Sequence, residues 1–274
     1  MIPHVRCLAA LAALLLCFNV SAQQKFEPQV GQAGKDVIWV PTPDDVVDRM
    51  LTMAQVTPND FVIDLGSGDG KIAILAARKF GARALGIEYN PDMVKLSQNN
   101  ALAAGVAGKA SFRNADIFAT DFSQASVITM YLLPGLNMKL RPQILSMRPG
   151  TRVVSHSFTM EDWEADEIST VDGRRAYFWL VPANVMGSWT LEGNGQKTDL
   201  TLEQTFQKIN GTVTLGAVHG GLRDPRLRGA SVSFAFVDGD GLRRDYTGRV
   251  TGTRMEGSFR DEKGQEGRWT ASKK

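Results

Sequence analysis

A turn that contains three glycines constrains this chain more than any other feature of its sequence. Residues 64–70 read Asp-Leu-Gly-Ser-Gly-Asp-Gly and directly follow an apolar run. Glycines at every second position let the backbone pass close to a ligand where a buried strand ends, and a helix is predicted to begin at Lys71. The spacing is not Gly-x-Gly-x-x-Gly, because Lys71 stands where the third glycine would be. Asp64 favours a ligand with a cationic or amino group over a pyrophosphate, and a plain strand-to-helix turn is the alternative.

Two further predicted strands end at acidic residues. Residues 84–89 form the second strand, with Glu88 near its end, and residues 110–115 form the third, which Asp116 follows. A doubly wound fold brings the second strand beside the first, so Glu88 could accept both ribose hydroxyls of a nucleoside. Asp116 could hold an adenine amino group, with Ile117 in apolar contact with the ring. A solvated glutamate at a strand end is the alternative for Glu88.

The remaining pattern predicts an α/β fold with a Rossmann-like doubly wound sheet that closes in an antiparallel hairpin. The predicted elements are strands 126–131 and 151–158, a helix at 136–147 and the hairpin strands 163–171 and 174–181. Asp172-Gly173 separates the last two strands and is a strong signal for a two-residue hairpin turn. An ordinary dehydrogenase is not expected to end in this way.

With these three motifs in this order, the chain resembles the class I S-adenosylmethionine-dependent methyltransferases. The resemblance covers about residues 35–182 and implies S-adenosylmethionine as the cofactor. It implies that Asp64 and the glycine backbone surround the methionine part of the cofactor, with Glu88 at the ribose and Asp116 near the adenine. The cofactor-binding residues that it implies are Asp64, Gly66, Ser67, Gly68, Gly70, Glu88, Asp116 and Ile117.

A narrower resemblance is to bacterial relatives of the ATP synthase c-subunit lysine methyltransferase family. It is carried by Val-Ile-Trp-Val-Pro-Thr-Pro at residues 37–43, by Tyr-Leu-Leu-Pro at residues 131–134 and by residues 152–158, shortly before Trp163. The nearest activity that it implies is methylation of a protein lysine. Because members of one fold family accept many nucleophiles, another amine stays open as the acceptor.

The catalytic candidates lie on both flanks of the cofactor motifs. Methyl transfer is an in-line displacement in which positioning carries most of the catalysis, so a dedicated base is optional for an amine that arrives deprotonated. We expect Tyr131 to orient the amine through its hydroxyl group, and Thr42 and His156 are the further candidates. Aromatic packing is the alternative for Tyr131, and a place at the pocket mouth is the alternative for His156.

Neither nucleic acid nor a metal ion is expected as a partner. Residues 130–134 lack the Asn or Asp, Pro-Pro and aromatic sequence that is common in methyltransferases acting on base amines. The net charge is only +2, and no run of lysine and arginine with interleaved aromatics is present. The three histidines have neither the cysteines nor the paired spacing of a zinc site.

The N-terminus has the pattern of a cleaved secretory signal. Arg6 precedes an apolar run at residues 8–20, and Ser21-Ala22 fits a cleavage site. We therefore expect a signal peptide at residues 1–22 and an exported, periplasmic mature chain without a transmembrane helix. Because S-adenosylmethionine is made in the cytosol, action before export and retention by an uncleaved membrane anchor both stay open.

The sequence changes character after residue 183, which predicts a methyltransferase domain at residues 23–183 and an antiparallel β domain, a barrel or sandwich, at residues 184–274. Apolar and polar residues alternate there between Asn-Gly, Asp-Gly and Lys-Gly turns. The seven predicted strands are 188–191, 199–209, 211–218, 230–237, 242–250, 253–259 and 267–272. A group of arginines makes this domain modestly basic, which is usual for a solvated face; the alternatives are attraction of an acidic partner, such as an envelope protein, or of anionic headgroups.

The sequence leaves two classes of function open. The first is a methyltransferase that acts on a protein lysine or another amine and recruits its substrate through the β domain. The second is an exported, non-catalytic binder that keeps the nucleoside pocket or only its fold. The intact set of acids and glycines in the cofactor motifs favours the enzyme, whereas the predicted signal peptide favours the binder.

Overall fold

The first of two sheets is doubly wound and mostly parallel. The computed structural model describes residues 26–216 and 218–274. The strands of this sheet are β1 (Phe61–Leu65), β2 (Arg83–Glu88), β3 (Ala110–Asn114), β4 (Val127–Met130), β5 (Arg152–His156), β6 (Glu167–Val171) and β7 (Arg174–Leu180), and the helices are α1 (Asp44–Met53), α2 (Lys71–Phe80), α3 (Pro91–Ala103) and α4 (Pro134–Leu145). The strands lie in the order β3-β2-β1-β4-β5-β7-β6, with β7 antiparallel to both neighbours. The predicted α/β fold is confirmed.

The point where the strand order reverses creates a crevice in this sheet. The strands β2 and β3 lie on one side of β1, and β4 and β5 lie on the other. In the middle of β1, Ile63 pairs with Leu85 of β2 on one side and with Ile128 of β4 on the other. Sheets of this kind bind their ligands outside the carboxyl ends of the strands at such a reversal.

Local sequence sets the ends of the helices around the crevice. The helix α2 begins at Lys71, as predicted, after Gly70 in the left-handed conformation (φ 83°), and it ends before Gly81 (φ 72°). The helix α3 begins at Pro91, and the side chain of Asn90 accepts hydrogen bonds from its first turn. Glycine tolerates the left-handed region, asparagine is a favoured N-cap and proline suits a first helical position, so these residues fix where the helices start and stop.

Buried side chains fill a core on each face of the first sheet. Val62 packs with apolar residues of α1 and α2, whereas its neighbour Ile63 packs with residues of α4. Successive residues of a strand point to opposite faces, and helices cover both faces here. The parallel strands therefore read as continuous apolar runs in the sequence.

The closing hairpin turns at Asp172-Gly173, as predicted, but its first strand is shorter than predicted. The strand β6 begins at Glu167, whereas the predicted strand began at Trp163. Trp163 is fully buried, and its carbonyl oxygen accepts a hydrogen bond of 2.8 Å from Nε1 of Trp179. Its apolar side chain therefore belongs to an irregular segment that fills the core, and not to a strand.

The second sheet is antiparallel. Its nine strands in the described part of the chain are β8 (Gly187–Gly193), β9 (Gln196–Thr205), β10 (Lys208–Leu215), β11 (Val218–Gly221), β12 (Arg223–Arg228), β13 (Ser231–Val237), β14 (Arg243–Thr251), β15 (Arg254–Asp261) and β16 (Glu266–Lys273). They lie in the order β11-β10-β9-β8-β16-β15-β14-β13-β12. The edge strand β12 also lies against β10, so the sheet curls into a nearly closed barrel, which is one of the two forms predicted.

Two strand boundaries predicted for this sheet are wrong. The predicted strand at residues 199–209 is divided by a turn at Phe206, whose φ is 53°. The predicted Asn210-Gly211 turn lies instead within β10. A Cβ atom on Gly211 would lie 2.3 Å from the carbonyl oxygen of Thr201, so this glycine permits close approach of two strands.

The strands β11 and β12 were not predicted at all. A proline, Pro225, interrupts the alternation of apolar and polar residues in β12. The pairing of β12 with β13 also shifts register between Arg223 and Arg226. Proline is confined to edge strands and bulges because it cannot donate to the hydrogen-bond ladder, and β12 is an edge strand.

An aromatic side chain from the second sheet packs into the core of the first unit. Phe206 stacks on Trp163 with ring centroids 5.9 Å apart, and the guanidinium of Arg141 lies 5.3 Å from the Phe206 ring. Beside this contact, the exposed Lys208 pairs with Glu164 at 2.7 Å. The predicted domain boundary after residue 183 lies between β7 and β8.

The predicted signal peptide at residues 1–22 lies outside the described residues. The structure therefore does not test that prediction. Of the helices in residues 26–216 and 218–274, none is long and apolar enough to cross a membrane.

We expect Phe206→Ala to lower the free energy of unfolding by about 2–3 kcal/mol, less than for a fully buried ring, because Phe206 is partly buried. Denaturant titration of the purified variant measures this loss. Lys208→Met removes only an exposed ion pair and is expected to cost less than about 1 kcal/mol. Equal losses in the two variants would contradict the conclusion that the aromatic contact holds the junction.

Candidate functional site

A cavity of about 270 Å³ lies at the carboxyl ends of the central strands. It is bordered by Gly66 after β1, Glu88 at the end of β2, Asp116 and Ile117 after β3, and Tyr131 after β4. Each of these was predicted as a site residue from the sequence. The ends of four neighbouring strands thus bring them together at the reversal of strand order.

The three glycines of the turn have different surroundings. All three have left-handed φ values, 76° at Gly66, 54° at Gly68 and 83° at Gly70. Gly66 borders the cavity. A Cβ atom on Gly68 would lie 2.6 Å from Nε1 of Trp39, and one on Gly70 would lie 2.7 Å from the ring of Phe112. Protein side chains thus fill the space beside Gly68 and Gly70, and the assignment of both as cofactor-binding residues stays a prediction.

Two of the carboxylates at the cavity, those of Glu88 and Asp116, are already hydrogen-bonded. Glu88 accepts hydrogen bonds from the backbone N–H groups of Gly68 (3.0 Å) and Asn90 (2.9 Å). Asp116 accepts one from the backbone of Phe118 (2.9 Å) and pairs with the ammonium of Lys35 at 2.5 Å. The hydrogen bond from Lys35 holds the pKa of Asp116 below its usual range. Both acids are thus held in fixed positions at the wall of the cavity.

Two predicted cofactor residues lie behind the lining of the cavity. Asp64 is buried and accepts a hydrogen bond of 2.7 Å from the hydroxyl of Thr129. Burial raises the pKa of Asp64 to about 7. The hydroxyl of Ser67 is buried against Gly86, with no hydrogen-bond partner among the described residues. The side chain of Ser67 thus does not border the cavity, and the assignment of Ser67 as a cofactor-binding residue stays a prediction.

The three catalytic candidates lie together. The rings of Tyr131 and His156 have centroids 4.0 Å apart, and Nδ1 of His156 lies 3.2 Å from the hydroxyl oxygen of Thr42. Thr42 and His156 are both buried, and of the three only Tyr131 borders the cavity. His156 was predicted at the pocket mouth, but it lies behind the ring of Tyr131.

The buried histidine carries no charge at neutral pH. Burial, and then the nearby charge of Arg174, lower the pKa of His156 to about 4. Its Nε2 atom has no hydrogen-bond partner among the described residues. Tyr131 is therefore backed by an uncharged ring that is itself fixed by Thr42.

One wall of the cavity was missed by the sequence reasoning. Residues 32–40 all border it, and with Gly31 they form a segment that we call the strap, residues 31–40. Two signals in the sequence are usable, the apolar run Val-Ile-Trp-Val at residues 37–40 and the Pro-Thr-Pro that follows it. Neither signal indicates by itself that the segment folds back over the strand ends.

The lining suits the cofactor that the sequence implies. The apolar side chains of Ile117 and Leu132 suit a flat base, and the carboxylates of Glu88 and Asp116 suit hydroxyl and amino groups. At Gly66 the backbone borders the cavity without a side chain. These residues are the ones that would hold S-adenosylmethionine.

Comparison with known proteins also indicates a methyltransferase. A sequence profile of the ANTKMT methyltransferase domain matches residues 64–167. The chain is 43% identical over 138 residues to a protein-lysine N-methyltransferase of Saccharolobus islandicus (strain REY15A), which is 50% of this chain and 86% of that protein. It is 31% identical over 132 residues to the ATP synthase c-subunit lysine N-methyltransferase of Homo sapiens. That match covers 48% of this chain and 56% of the human protein, so the chain spans little more than half of that relative.

A solved structure is also similar. It is described as an RNA methyltransferase from Salinibacter ruber in complex with S-adenosyl-L-homocysteine, with 50% sequence identity and a TM-score of 0.52. The match covers 53% of this chain and 96% of that chain. A non-catalytic binder is therefore not favoured. The chain belongs to the S-adenosylmethionine-dependent methyltransferases, in the family of the Saccharolobus islandicus protein-lysine N-methyltransferase.

Proposed function

We propose that this methyltransferase acts on the side-chain nitrogen of a lysine in a protein acceptor. The observation that carries the proposal is the character of the cavity. Among its described lining residues, Asp36, Glu88 and Asp116 are carboxylates and Lys35 is the one cation. Such a surface attracts a cationic side chain and repels a polyanion. Two relatives named as lysine N-methyltransferases support the same acceptor.

The residues at the cavity suit an amine that must lose its charge before it reacts. When bound, S-adenosylmethionine supplies a methyl group on a positively charged sulfur. The attacking nitrogen needs a free lone pair, and partial burial favours the neutral amine. Tyr131 is placed to accept a hydrogen bond from an amine N–H through its hydroxyl oxygen and so to aim the lone pair. The lysine ammonium releases one proton to water before the attack, and the methylated nitrogen is again an ammonium after the transfer.

His156 and Thr42 are positioning residues in this proposal. Neither borders the cavity, and they reach an acceptor only through Tyr131. An uncharged His156 packs under the Tyr131 ring without repelling an incoming ammonium, and its contact with Thr42 fixes the ring plane. Holding reactants in a near-attack geometry can lower a barrier by about 7–11 kcal/mol, so positioning alone accounts for a large part of catalysis.

RNA is the competing acceptor, because the similar structure from Salinibacter ruber is described as an RNA methyltransferase. Two features of this chain disfavour it. The segment after β4 reads Tyr-Leu-Leu-Pro at residues 131–134, without the Asn or Asp followed by Pro-Pro and an aromatic that base methylation commonly uses. The carboxylates at the cavity would also repel the phosphate backbone.

We expect the full chain, given labelled S-adenosylmethionine, to label lysine-rich protein and to leave RNA and a lysine-blocked sample of the same protein unlabelled. Mass spectrometry of peptides locates the methyl groups. Tyr131→Phe should lower kcat/KM by about tenfold, the effect of losing one hydrogen bond. Tyr177→Phe removes a hydroxyl elsewhere in the sheet and is expected to have no effect. Label in RNA alone would overturn the acceptor and leave the cofactor assignment intact.

Asp64 gives the cofactor site a dependence on pH. Its carboxyl group has a pKa of about 7, first because of burial and then because Asp69 and Glu88 are negatively charged, while the hydrogen bond from Thr129 acts in the opposite direction. The native state thus holds a proton that the unfolded chain releases near pH 4, so this group makes the ligand-free protein less stable as pH rises from about 4 to 7. A ligand with an ammonium group favours the ionised carboxylate and reverses that trend.

We therefore expect the affinity for S-adenosylhomocysteine to rise by about tenfold between pH 5.5 and pH 7, since only the ionised Asp64 attracts the ligand's ammonium. Isothermal titration at several pH values measures it. His156 stays uncharged over this range because its pKa is about 4. Asp64→Asn should bind more weakly and with a flat pH profile. An unchanged slope in that variant would assign the dependence to another group.

For location, we infer that residues 1–22 direct export, on the basis of Arg6, the apolar run and the small residues before Gln23. The β-rich second unit is the part that would recruit an envelope protein as partner. Expression with the native N-terminus followed by mass analysis of the periplasmic fraction is expected to give a chain that begins at Gln23. A cytosolic chain that keeps residues 1–22 would contradict export.

A further inference from the structure

The strap, residues 31–40, is a small hairpin that folds upon itself. The N–H of Gly31 donates to the carbonyl of Trp39, and the N–H of Trp39 donates to the carbonyl of Gln32, both at 2.9 Å. The tip is closed by a bond of 3.0 Å from Gly34 to Val37. Among the described residues, every backbone hydrogen bond of the strap stays within residues 29–39. The strap therefore holds to the rest of the protein through its side chains.

Lys35 makes one of these side-chain attachments. Its ammonium pairs with Asp116 and lies 4.8 Å from the centroid of the Tyr89 ring. The side chain of Lys35 is 35% exposed, and that of Asp116 is 30% exposed. Ion pairs with this much exposure to water are weak and reversible, so this attachment can open.

Trp39 makes the attachment nearest the glycine turn. Its indole lies so close to Gly68 that a Cβ atom there would be 2.6 Å from Nε1 and 2.9 Å from Cδ1. The ring therefore occupies the space that the missing side chain leaves. Trp39 borders the cavity, whereas Gly68 does not, so the indole stands between Gly68 and the cavity.

The strap forms one whole wall of the cavity, and a ligand bound there cannot leave on that side unless the strap moves. We propose that the strap is a closure that retains the cofactor. Trp39 is a cofactor-binding residue seated on Gly68, and the pair of Lys35 with Asp116 is the latch. The second glycine of the turn is then required for the fit of Trp39, and not for direct approach of the cofactor. The proposal rests on the cofactor alone and is independent of the acceptor.

Fluorescence tests the contact between Trp39 and the cofactor. The other four tryptophans, Trp163, Trp179, Trp189 and Trp269, are all fully buried, whereas Trp39 is partly exposed. Titration of the full chain with S-adenosylhomocysteine should change the emission, and Trp39→Phe should abolish the change while calorimetry still detects binding. An equal change in Trp39→Phe would overturn the contact.

A double-mutant cycle tests whether the packing of Trp39 against Gly68 supports cofactor binding. Gly68→Ala should weaken binding of S-adenosylhomocysteine by about tenfold or more in the native chain and by much less in a Trp39→Ala background, since the added methyl then meets empty space. Strain from the left-handed φ of Gly68 is present in both backgrounds and cancels. Equal losses in the two backgrounds would show that Gly68 acts on the cofactor directly. Thermal melts of the ligand-free variants confirm that all are folded.

The latch is tested by the rate of cofactor release. Lys35→Met should speed dissociation of S-adenosylhomocysteine by about three- to tenfold in stopped-flow measurements, because contacts that close over a ligand act mainly on the off-rate. Lys35→Arg keeps the charge and should largely restore the native rate. Lys95→Met, an exposed lysine on α3, is the matched control. An unchanged rate, or tighter binding, in Lys35→Met would overturn the latch.

Discussion

The left-handed backbone at residues 66, 68 and 70 is the constraint on which the rest of the site depends. Three such residues in alternation turn the chain from β1 into α2 within five residues, and only glycine adopts this conformation without strain. The same positions have no side chains, so Trp39 and Phe112 pack where side chains would be. One short segment thus fixes the start of α2, contributes to the wall of the cavity and forms the surface on which Trp39 of the strap packs.

Burial favours the neutral form of both titratable groups behind the cavity, although one is an acid and the other a base. It raises the pKa of Asp64 to about 7 and lowers the pKa of His156 to about 4, so that in each case the neutral form gains. The carboxylates of Glu88 and Asp116, by contrast, line the cavity and are hydrogen-bonded there. The cavity therefore combines an acidic surface, which attracts an amine, with the aromatic ring of Tyr131, which is backed by an uncharged histidine.

Much of the first sheet could be predicted from its sequence, because each signal there is local. Each of these signals depends on a few consecutive residues. They are the glycine turn, the acids at the ends of two strands and the Asp172-Gly173 hairpin. The features that the sequence did not predict correctly depend on contacts with residues distant in the chain. Asn210-Gly211 has the sequence of a turn, but packing against Thr201 places it in a strand. Likewise, the fit of Trp39 on Gly68 joins residues 29 positions apart, and no local pattern indicates it.

Charge balance links the strap to the cofactor. The ammonium of Lys35 pairs with Asp116, so the one cation among the described lining residues lies on the strap and faces a carboxylate of the opposite wall. A ligand with a net positive charge, such as S-adenosylmethionine, would partly offset the carboxylates of the lining when the strap opens. The exposed pair is weak enough to break and strong enough to reform over a bound ligand, as a closure requires. A positively charged cofactor thus suits a cavity whose described lining residues include three carboxylates and one lysine.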